Sequence, residues 1–319
     1  MNAATVLPAT GGRPSERVSL DTLAIGVGSA AIPAPADDLA LRFVELRPHL
    51  VRVAYGMLGS VSEAEDVVQD AWLRVGAADA SEVRHLRAWL TTVVARLALD
   101  ALDRARVRRA DYVGPWLPEP IVEELEPADR AIVDETVSMA LMVVLERLSP
   151  AERSAFVLHD IFDIPFEEVA KIIGRSPAAV RQLAARARRH IADGRPRFAA
   201  SPDEQLAVVV AFAAACIQGD LGELLALLDP EVIWRSDGGG RAHAARRPHR
   251  GRVKVATAML RLARHGSSGG RLARVNGAPG LVFTSADGVL TVMSFTLDGR
   301  AITAVDVIRN PDKLAHVEP

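Results

Sequence analysis

At 319 residues the chain is long enough for roughly two domains, or three if some are small. Apolar residues at 49% and charged residues at 24% are ordinary for a globular protein and exclude a collagen-like or wholly disordered chain. Its one cysteine, Cys216, excludes an intramolecular disulfide and any zinc site with two cysteine ligands. No apolar run approaches the roughly 18 residues of a membrane span, and Leu23 to Val27 is too short for a signal-peptide core. A cytosolic protein is expected. The net charge of −2 is unevenly placed: eight Lys/Arg and one acid lie between Lys171 and Arg197. Six acids and one Arg lie between Glu119 and Asp134, and ten Lys/Arg with no acid between Arg241 and Arg274.

Residues 1 to about 36, rich in Ala, Pro, Gly and Ser without a sustained period, read as a disordered arm. From Asp37 to Arg109 apolar residues recur at spacings of three and four. The first series is Leu39, Phe43, Leu46, Leu50, Val53 and Ala54; the second is Ala64, Val67, Val68, Ala71 and Leu73. The third is Leu86, Trp89, Leu90, Val93, Val94, Leu97 and Leu102. Each puts a stripe on one helix face, and only helices packed together bury such stripes. From Asp111 to Asp134, Pro115, Pro118, Pro120 and Pro127 deny helix continuity and the acids keep the segment solvated. That is an inter-domain linker whose Trp116-Leu117 pair should dock somewhere.

Thr136 to Ile191 is helical again, with a capping box and a leading proline at Ser149-Pro150-Ala151-Glu152. Phe166 to Ile173 predicts a short helix ending at Gly174, and Ser176-Pro177 opens the next, which is helix-turn-helix spacing. After a second linker, Pro196 to Pro202, Asp203 to Leu228 reads as helix broken at Gly219-Asp220, and Arg252 to Arg264 as helix. Strands are expected at Val232–Arg235, Arg271–Val275, Leu281–Thr284, Val289–Leu297 and Ala301–Ile308. Helices first and an antiparallel sheet last make an α+β domain.

Three stretches carry chemistry. In the helix from Pro177, Val180, Leu183, Ala184, Ala187 and Ile191 form a core face. The opposite side offers Ala178, Arg181, Gln182, Ala185, Arg186, Arg188 and Arg189, which suits a DNA major groove: Arg reads guanine, Gln reads adenine, and the other Arg neutralise phosphates. The alternative is a solvated cationic face; DNA is favoured. Asp66, Gln69 and Asp70 make a polar-acidic patch within one helical turn, a weak signal because most such patches are solvated surface. From Arg87 to Arg109, Thr91, Thr92, Arg96 and Asp100 should face outward, followed by Arg104, Arg106, Arg108 and Arg109. Such a helix can track a phosphate backbone beside an extruded base, or simply be a surface helix with basic ends.

The order of these stretches resembles the extracytoplasmic-function type of bacterial RNA polymerase sigma factor. The resemblance rests on Glu65-Asp66-Val67-Val68-Gln69-Asp70-Ala71-Trp72, Arg87-Ala88-Trp89-Leu90, Leu97-Ala98-Leu99-Asp100, and Leu148 to Arg153 ahead of the helix-turn-helix. It implies that Asp66, Gln69, Asp70 and Trp72 dock on a coiled coil of the polymerase β′ subunit. It assigns the −10 promoter element to Arg87, Trp89, Thr92, Arg96, Asp100 and Arg104. The −35 element falls to Ser176, Ala178, Arg181, Gln182, Ala185, Arg186 and Arg189. Three further sequences are similar to those of the subgroup with a fused C-terminal SnoaL-like domain: Trp116-Leu117-Pro118-Glu119-Pro120, Asp237-Gly238-Gly239-Gly240-Arg241, and Asn310-Pro311-Asp312-Lys313-Leu314. Arg241 stands where that pattern has Lys, replacing a point charge by a planar fork.

The resemblance implies a multidomain chain: two all-α sigma domains, a region 2 helical bundle and a region 4 helix-turn-helix, followed by an α+β SnoaL/NTF2-like cone-shaped domain. The expected divisions are 1–36 arm, 37–111 region 2, 112–134 acidic linker, 135–195 region 4 and 203–319 regulatory domain. Implied partners are the polymerase core and promoter DNA, with a separate anti-sigma protein left open; no cofactor, metal or catalytic residue is expected. Two other functions stay open: a dimeric helix-turn-helix regulator sensing a small ligand, and an isomerase- or cyclase-type enzyme. For the enzyme, Asp237, His243 and Asp306 are the candidate acid/base group, against which stand the glycine turn at Asp237 and the position of both tyrosines, Tyr55 and Tyr112, outside the C-terminal domain. The basic block from Arg241 to Arg274 is expected to contact the acidic linker, with Trp116-Leu117 and Asn310 to Leu314 completing the docking surface, and so fix the spacing of the DNA-binding domains. The resemblance gives these three short sequences, the Asp237-to-Arg241 run included, an interdomain regulatory role.

Overall fold

Three helices bury the periodic stripes of the N-terminal half: α1 (Pro35–Leu58), α2 (Val61–Ala77) and α3 (Leu86–Ala110). The computed structural model describes residues 35–77, 85–125, 138–192, 198, 200–264 and 266–318. Residues 1–34 of the expected arm, residues 196, 197 and 199 of the second linker and linker residues Glu126 to Asp134 lie outside the described residues. Met1–Leu41 and Arg42–Pro319 are separate units; the first contributes only the opening turns of α1, and every other described element belongs to the second. Leu50, Val53 and Ala54 of α1, Ala64, Val68 and Ala71 of α2, and Leu90, Val94 and Leu97 of α3 are buried, as their spacing requires.

Two positions differ from that pattern. Leu73 is 65% exposed, because the buried line through Ala64, Val68 and Ala71 passes beside it. Thr91, expected to face outward, is buried. It lies one turn before Val94 and Ala95, and its hydroxyl is satisfied by donating to the Arg87 carbonyl at 2.8 Å.

The second helical group is α4 (Met139–Leu145), α5 (Pro150–Phe156) running into a π turn at Val157–Ile161, α6 (Phe166–Ile173) and α7 (Pro177–Ala192). The capping box closes as its residue types require: the Glu152 amide donates to Ser149 Oγ and the Ser149 amide to Glu152 Oε2. Gly174 ends α6 at φ 70°, a left-handed stop that glycine takes without strain. Helices α6 and α7 with this turn form the helix-turn-helix.

The C-terminal part opens with α8 (Pro202–Gln218) and α9 (Leu221–Leu227), separated by left-handed Gly219. Strands β2 (Leu228–Asp237) and β3 (His249–Arg250) precede α10 (Arg252–Arg264), and β4 (Ser267–Val275), β5 (Ala278–Ser285), β6 (Leu290–Asp298) and β7 (Ala301–Ile308) follow. The linker supplies one more strand, β1 (Val122–Glu124), so that the sheet runs β1-β4-β5-β6-β7-β2-β3 among the described residues. Every pairing is antiparallel except β2 with β7.

Strand β1 corrects the expectation of a merely solvated strap. Prolines that forbid helix leave the chain extended, and an extended chain can add to a sheet edge. Asn276 and Gly277 form the two-residue β4–β5 hairpin turn, both at positive φ. The Asn276 side chain then accepts from the Ile121 amide at 3.1 Å, while its backbone amide donates to the Ile121 carbonyl at 2.8 Å.

The sheet has two apolar faces. One packs under α8, α9 and α10 through Met293, Phe295, Val305 and Val307. The other, carrying Ala273, Val275, Val282 and Ile308, is covered by Leu117 of the linker, Met139 and Val143 of α4, and Leu314 and Val317 of the tail. Helix α4 and the linker are therefore packed into the C-terminal domain's own core. Leu117→Ala is expected to cost this cover about 2–4 kcal/mol. Hydrogen exchange at the β1 amides checks it: they should exchange faster while those of β6 are unchanged.

Candidate functional site

The two faces of α7 are laid out as its sequence predicts: Val180, Leu183, Ala184, Ala187 and Ile191 are buried, while Ala178, Arg181, Gln182, Ala185, Arg186, Arg188 and Arg189 are not, and Ser176 is exposed. Three of its arginines already hold acids of neighbouring elements, Arg181 with Glu167 at 2.8 Å, Arg188 with Asp160 at 2.5 Å and Arg186 with Glu152 at 3.9 Å. These pairs are exposed on at least one side, so exchanging them for phosphates costs little.

On α2, Asp66, Gln69 and Asp70 are exposed. Trp72 is half-buried and its ring lies 4.7 Å from that of Phe43. With Arg47 and Glu65, Asp66, Gln69 and Trp72 border a groove of about 390 Å³. On α3, Arg87, Arg96, Asp100 and Arg104 are exposed and Trp89 is half-buried. Thr92 donates to the Ala88 carbonyl, and Arg96 reaches across to the Lys171 carbonyl of α6 at 3.3 Å. Arg109, grouped by its sequence with the outward cations, is instead largely buried. It donates to the Leu58 carbonyl at 2.7 Å and to Glu146 at 2.6 Å.

The three short sequences in the linker, after β2 and after β7 meet at Asp237, whose exposure is 0%. Its Oδ1 accepts from Tyr112 Oη at 2.6 Å and the Gly239 amide at 3.0 Å. Its Oδ2 accepts from the Leu117 amide at 2.8 Å and Lys313 Nζ at 2.7 Å. Lys313 Nζ also donates to the Leu117 carbonyl, and Asn310 Nδ2 to Tyr112 Oη at 3.0 Å. The Trp116 indole lies between two cations, Arg109 at 3.5 Å from the ring centroid and Lys313 at 3.8 Å. Each gains from the ring quadrupole more strongly because water is excluded. Burial lowers the Lys313 pKa and Asp237 opposes it; burial raises that of Tyr112, and its bond to Asp237 adds to the rise.

Backbone conformation permits this approach. Gly239 sits at φ 61° against the Asn310 amide group, where any Cβ would collide. Arg241, in place of the pattern's Lys, pairs with Asp312, and both are well exposed. The glycine run is a turn, as expected, but one that presses Asp237 into the linker.

The network continues into the helical modules. Glu146 joins Arg109 to Arg153, which is buried on α5 and donates to the Gly56 carbonyl at 3.2 Å. Glu119 is buried too, and its Oε2 accepts from Ser60 Oγ at 2.8 Å and the Val61 amide at 2.9 Å. A linker carboxylate thus caps the N-terminus of α2, where the helix dipole favours it. Tyr55 Oη donates to the Glu119 carbonyl at 2.8 Å and accepts from Asn276 Nδ2 at 2.7 Å.

Tyr55, Tyr112, Arg109, Glu146, Asn276 and His316 are partners the sequence did not reveal. Both tyrosines lie outside the C-terminal domain in sequence, yet both bond to it. The expected contact of basic block with acidic linker is realised only in part: Glu123 stands opposite Arg274 in register. Glu119 turns away to α2 and the tail, and Glu126 lies outside the described residues.

Asp237, His243 and Asp306 are not assembled as an acid/base group in a cavity. Asp237 is engaged by the linker, Asp306 is held by Arg235 at 2.8 Å, and the His243 side chain is exposed. Burial raises the Asp306 pKa and Arg235 opposes it.

His316 fastens the tail to the linker, with Nδ1 3.3 Å from Glu119 Oε1 and Nε2 2.9 Å from the Pro120 carbonyl. Both partners only accept, so both ring nitrogens must carry protons, which selects the imidazolium. Its pKa is raised, first by the bond to Glu119, against burial, with the Pro120 carbonyl and the charge of Glu65 adding to the rise. For Glu119, burial acts upward, but bonds from His316 and Ser60 hold the carboxyl below its ordinary value. A raised His pKa stabilises fully below its unfolded value and is lost as pH rises through the folded one; a lowered Glu pKa stabilises above its unfolded value and is lost on acidification. The tail should therefore grip best between the two and loosen above neutrality. Amide exchange at β1 followed from pH 6 to 8.5 should accelerate beyond its intrinsic rise, and His316→Gln should abolish that excess.

Residues 43–108 match the Sigma-70 region 2 family and residues 138–191 the Sigma-70 region 4 family. The ECF RNA polymerase sigma factor SigJ of Mycobacterium tuberculosis is 42% identical over 286 residues, 85% of this chain and 91% of the relative. The probable ECF RNA polymerase sigma factor SigI of the same organism is 34% identical over 271 residues, 84% of this chain and 92% of the relative. The crystal structure of Mycobacterium tuberculosis SigJ superposes with a TM-score of 0.72 at 39% identity, covering 86% of this chain and 98% of that one. With both sigma modules, their order and the C-terminal sheet domain all accounted for, the chain belongs to the extracytoplasmic-function family of RNA polymerase sigma factors, in the form that carries a SnoaL-like domain after region 4.

Proposed function

We propose that the described arrangement is the held state of a sigma factor regulated by its own C-terminal domain. As a family member the chain directs RNA polymerase to promoters and initiates transcription there. In our reading residues 37–111 serve as region 2, 112–134 as linker, 135–195 as region 4 and 203–319 as the regulator. Asp66, Gln69, Asp70 and Trp72 engage the β′ coiled coil of core polymerase. Arg87, Trp89, Thr92, Arg96, Asp100 and Arg104 engage the −10 element, and Ser176, Ala178, Arg181, Gln182, Ala185, Arg186 and Arg189 the −35 element. The cytoplasm, where polymerase works, is the site of action; among the described residues no helix is long and apolar enough to cross a membrane.

The observation that carries the held state is the buried carboxylate of Asp237, bonded at once to Tyr112, to the Leu117 amide and to Lys313. Through it the C-terminal domain grips the linker while regions 2 and 4 touch each other, Arg153 to Gly56 and Arg96 to Lys171. The names of the two promoter elements put them about 25 base pairs apart, roughly 85 Å of B-DNA. Modules in direct contact do not span that distance, so promoter engagement requires separating them, and the Asp237 cluster opposes separation.

Regulation rather than catalysis also suits the chemistry of the C-terminal domain. The described lining of the cavity between its helices and sheet is mainly apolar, which supports that reading.

In vitro transcription with sigma-free core polymerase tests the whole. The chain should start RNA at its promoters, and Asp66→Ala with Asp70→Ala should weaken core binding while leaving −35 duplex binding intact. Arg186→Ala should cost about 1–3 kcal/mol of promoter binding if it contacts a base. Asp237→Asn, which strands the buried Lys313 charge, should raise promoter output at limiting sigma concentration. Unchanged output from that variant, with faster exchange in β1 showing the linker released, removes the held-state reading.

A further inference from the structure

The C-terminal domain carries a half-open cavity of about 600 Å³ between α8, α10 and the sheet. That volume falls within the range of small-molecule sites. Ala213 and Ala214 of α8, Ala263 of α10, Leu272 of β4 and Leu281 of β5 form its walls, with the Cys216 thiol among them. The polar groups at its edge are already engaged. Ser285 Oγ is bonded to Thr291 at 2.9 Å, and Arg271 donates to the Glu318 carbonyl at 2.8 Å. Burial alone pushes the Cys216 thiol up to about 12, so it stays neutral and behaves as part of the apolar wall.

These walls suit an occupant of one chemistry. Small alanine side chains on two helices leave room where larger residues would have filled a core, and an apolar guest gains dispersion contacts with such walls. Apart from Arg271, whose guanidinium is turned to the tail carbonyl, the described lining carries no charged side chain, so an ion inside would lose its hydration without compensation. The guest is therefore a small, uncharged and mainly apolar molecule, such as a fused-ring or short acyl compound.

The same strands connect the cavity to the linker. Leu272 and Leu281 pack on the cavity side of the sheet, while Ala273, next to Leu272, lies in the opposite cluster with Leu117, Met139 and Val143. Strand β4 is also the one paired with β1. At the rim, Arg271 holds the tail at Glu318, two residues beyond the His316 that grips Glu119 and Pro120. We propose that this cavity is a binding site for a small apolar ligand, and that its occupation alters the hold of β4 and the tail on the linker. The site stands independently of the held-state reading; only its effect on the linker rests on that reading.

The test uses the full chain and the neutral dye N-phenyl-1-naphthylamine. Saturable fluorescence enhancement at one site per chain is expected. Ala214→Trp and Ala263→Trp, which fill the cavity from opposite walls, should each weaken binding by about tenfold or more, with folding verified by circular dichroism. If one variant fails to fold, the other decides. No saturable binding, or binding untouched by a folded filling variant, overturns the site. With dye bound, amide exchange at Val122 to Glu124 should change several-fold. Binding with unchanged β1 exchange overturns the coupling and leaves both the site and the sigma-factor function standing.

Discussion

A carboxylate removed from water must recover its lost hydration as hydrogen bonds, and Asp237 recovers it entirely from groups that hold the chain together. Its donors come from the linker backbone, from a tyrosine at the end of α3, from the adjoining glycine turn and from the tail lysine. None of these segments alone could satisfy it. Removing one partner leaves a charge stranded in a dry environment, at about 3–5 kcal/mol, which makes the meeting of the segments cooperative. The cluster therefore specifies an arrangement more than it adds net stability.

A second consequence of the same junction concerns the helix that carries Asp66, Gln69, Asp70 and Trp72. Its first turn is capped by Glu119 of the linker, backed by Ser60. Linker release and the integrity of the start of α2 are thus thermodynamically linked, since the amides that Glu119 satisfies must find water or another acceptor once it leaves. The tail enters through His316 on the same carboxylate. A single residue of the linker stands at the crossing of region 2, the linker and the C-terminal domain.

Much of this was legible in the sequence where a local rule governs. The capping box at Ser149, the stop at Gly174 and the two faces of α7 are decided within a few residues, and spacing alone placed them. Strand β1 was not legible: three residues between prolines carry no alternation, and their pairing with β4 is a long-range choice made by the Asn276 side chain. The same holds for Tyr55, Tyr112 and Arg109, whose partners lie up to 221 residues away in sequence. A lone tyrosine or an arginine at the end of a basic helix does not announce such a partner. Asp237 illustrates the limit most clearly: its turn was readable and an inter-domain role was implied by resemblance, but the donors that hold its carboxylate were not.

The edge of the sheet carries a final consequence. In the described arrangement β1 covers the outer side of β4, and Leu117 and Val143 cover the apolar face behind it. A chain that lets its linker go bares a row of unpaired amides and carbonyls beside uncovered aliphatic side chains, the combination from which intermolecular strand pairing grows. On the held-state proposal, a released chain would thus be prone to self-association, and its lifetime would depend on a race between capture by polymerase, reclosure and self-association, which would make cellular abundance part of its control.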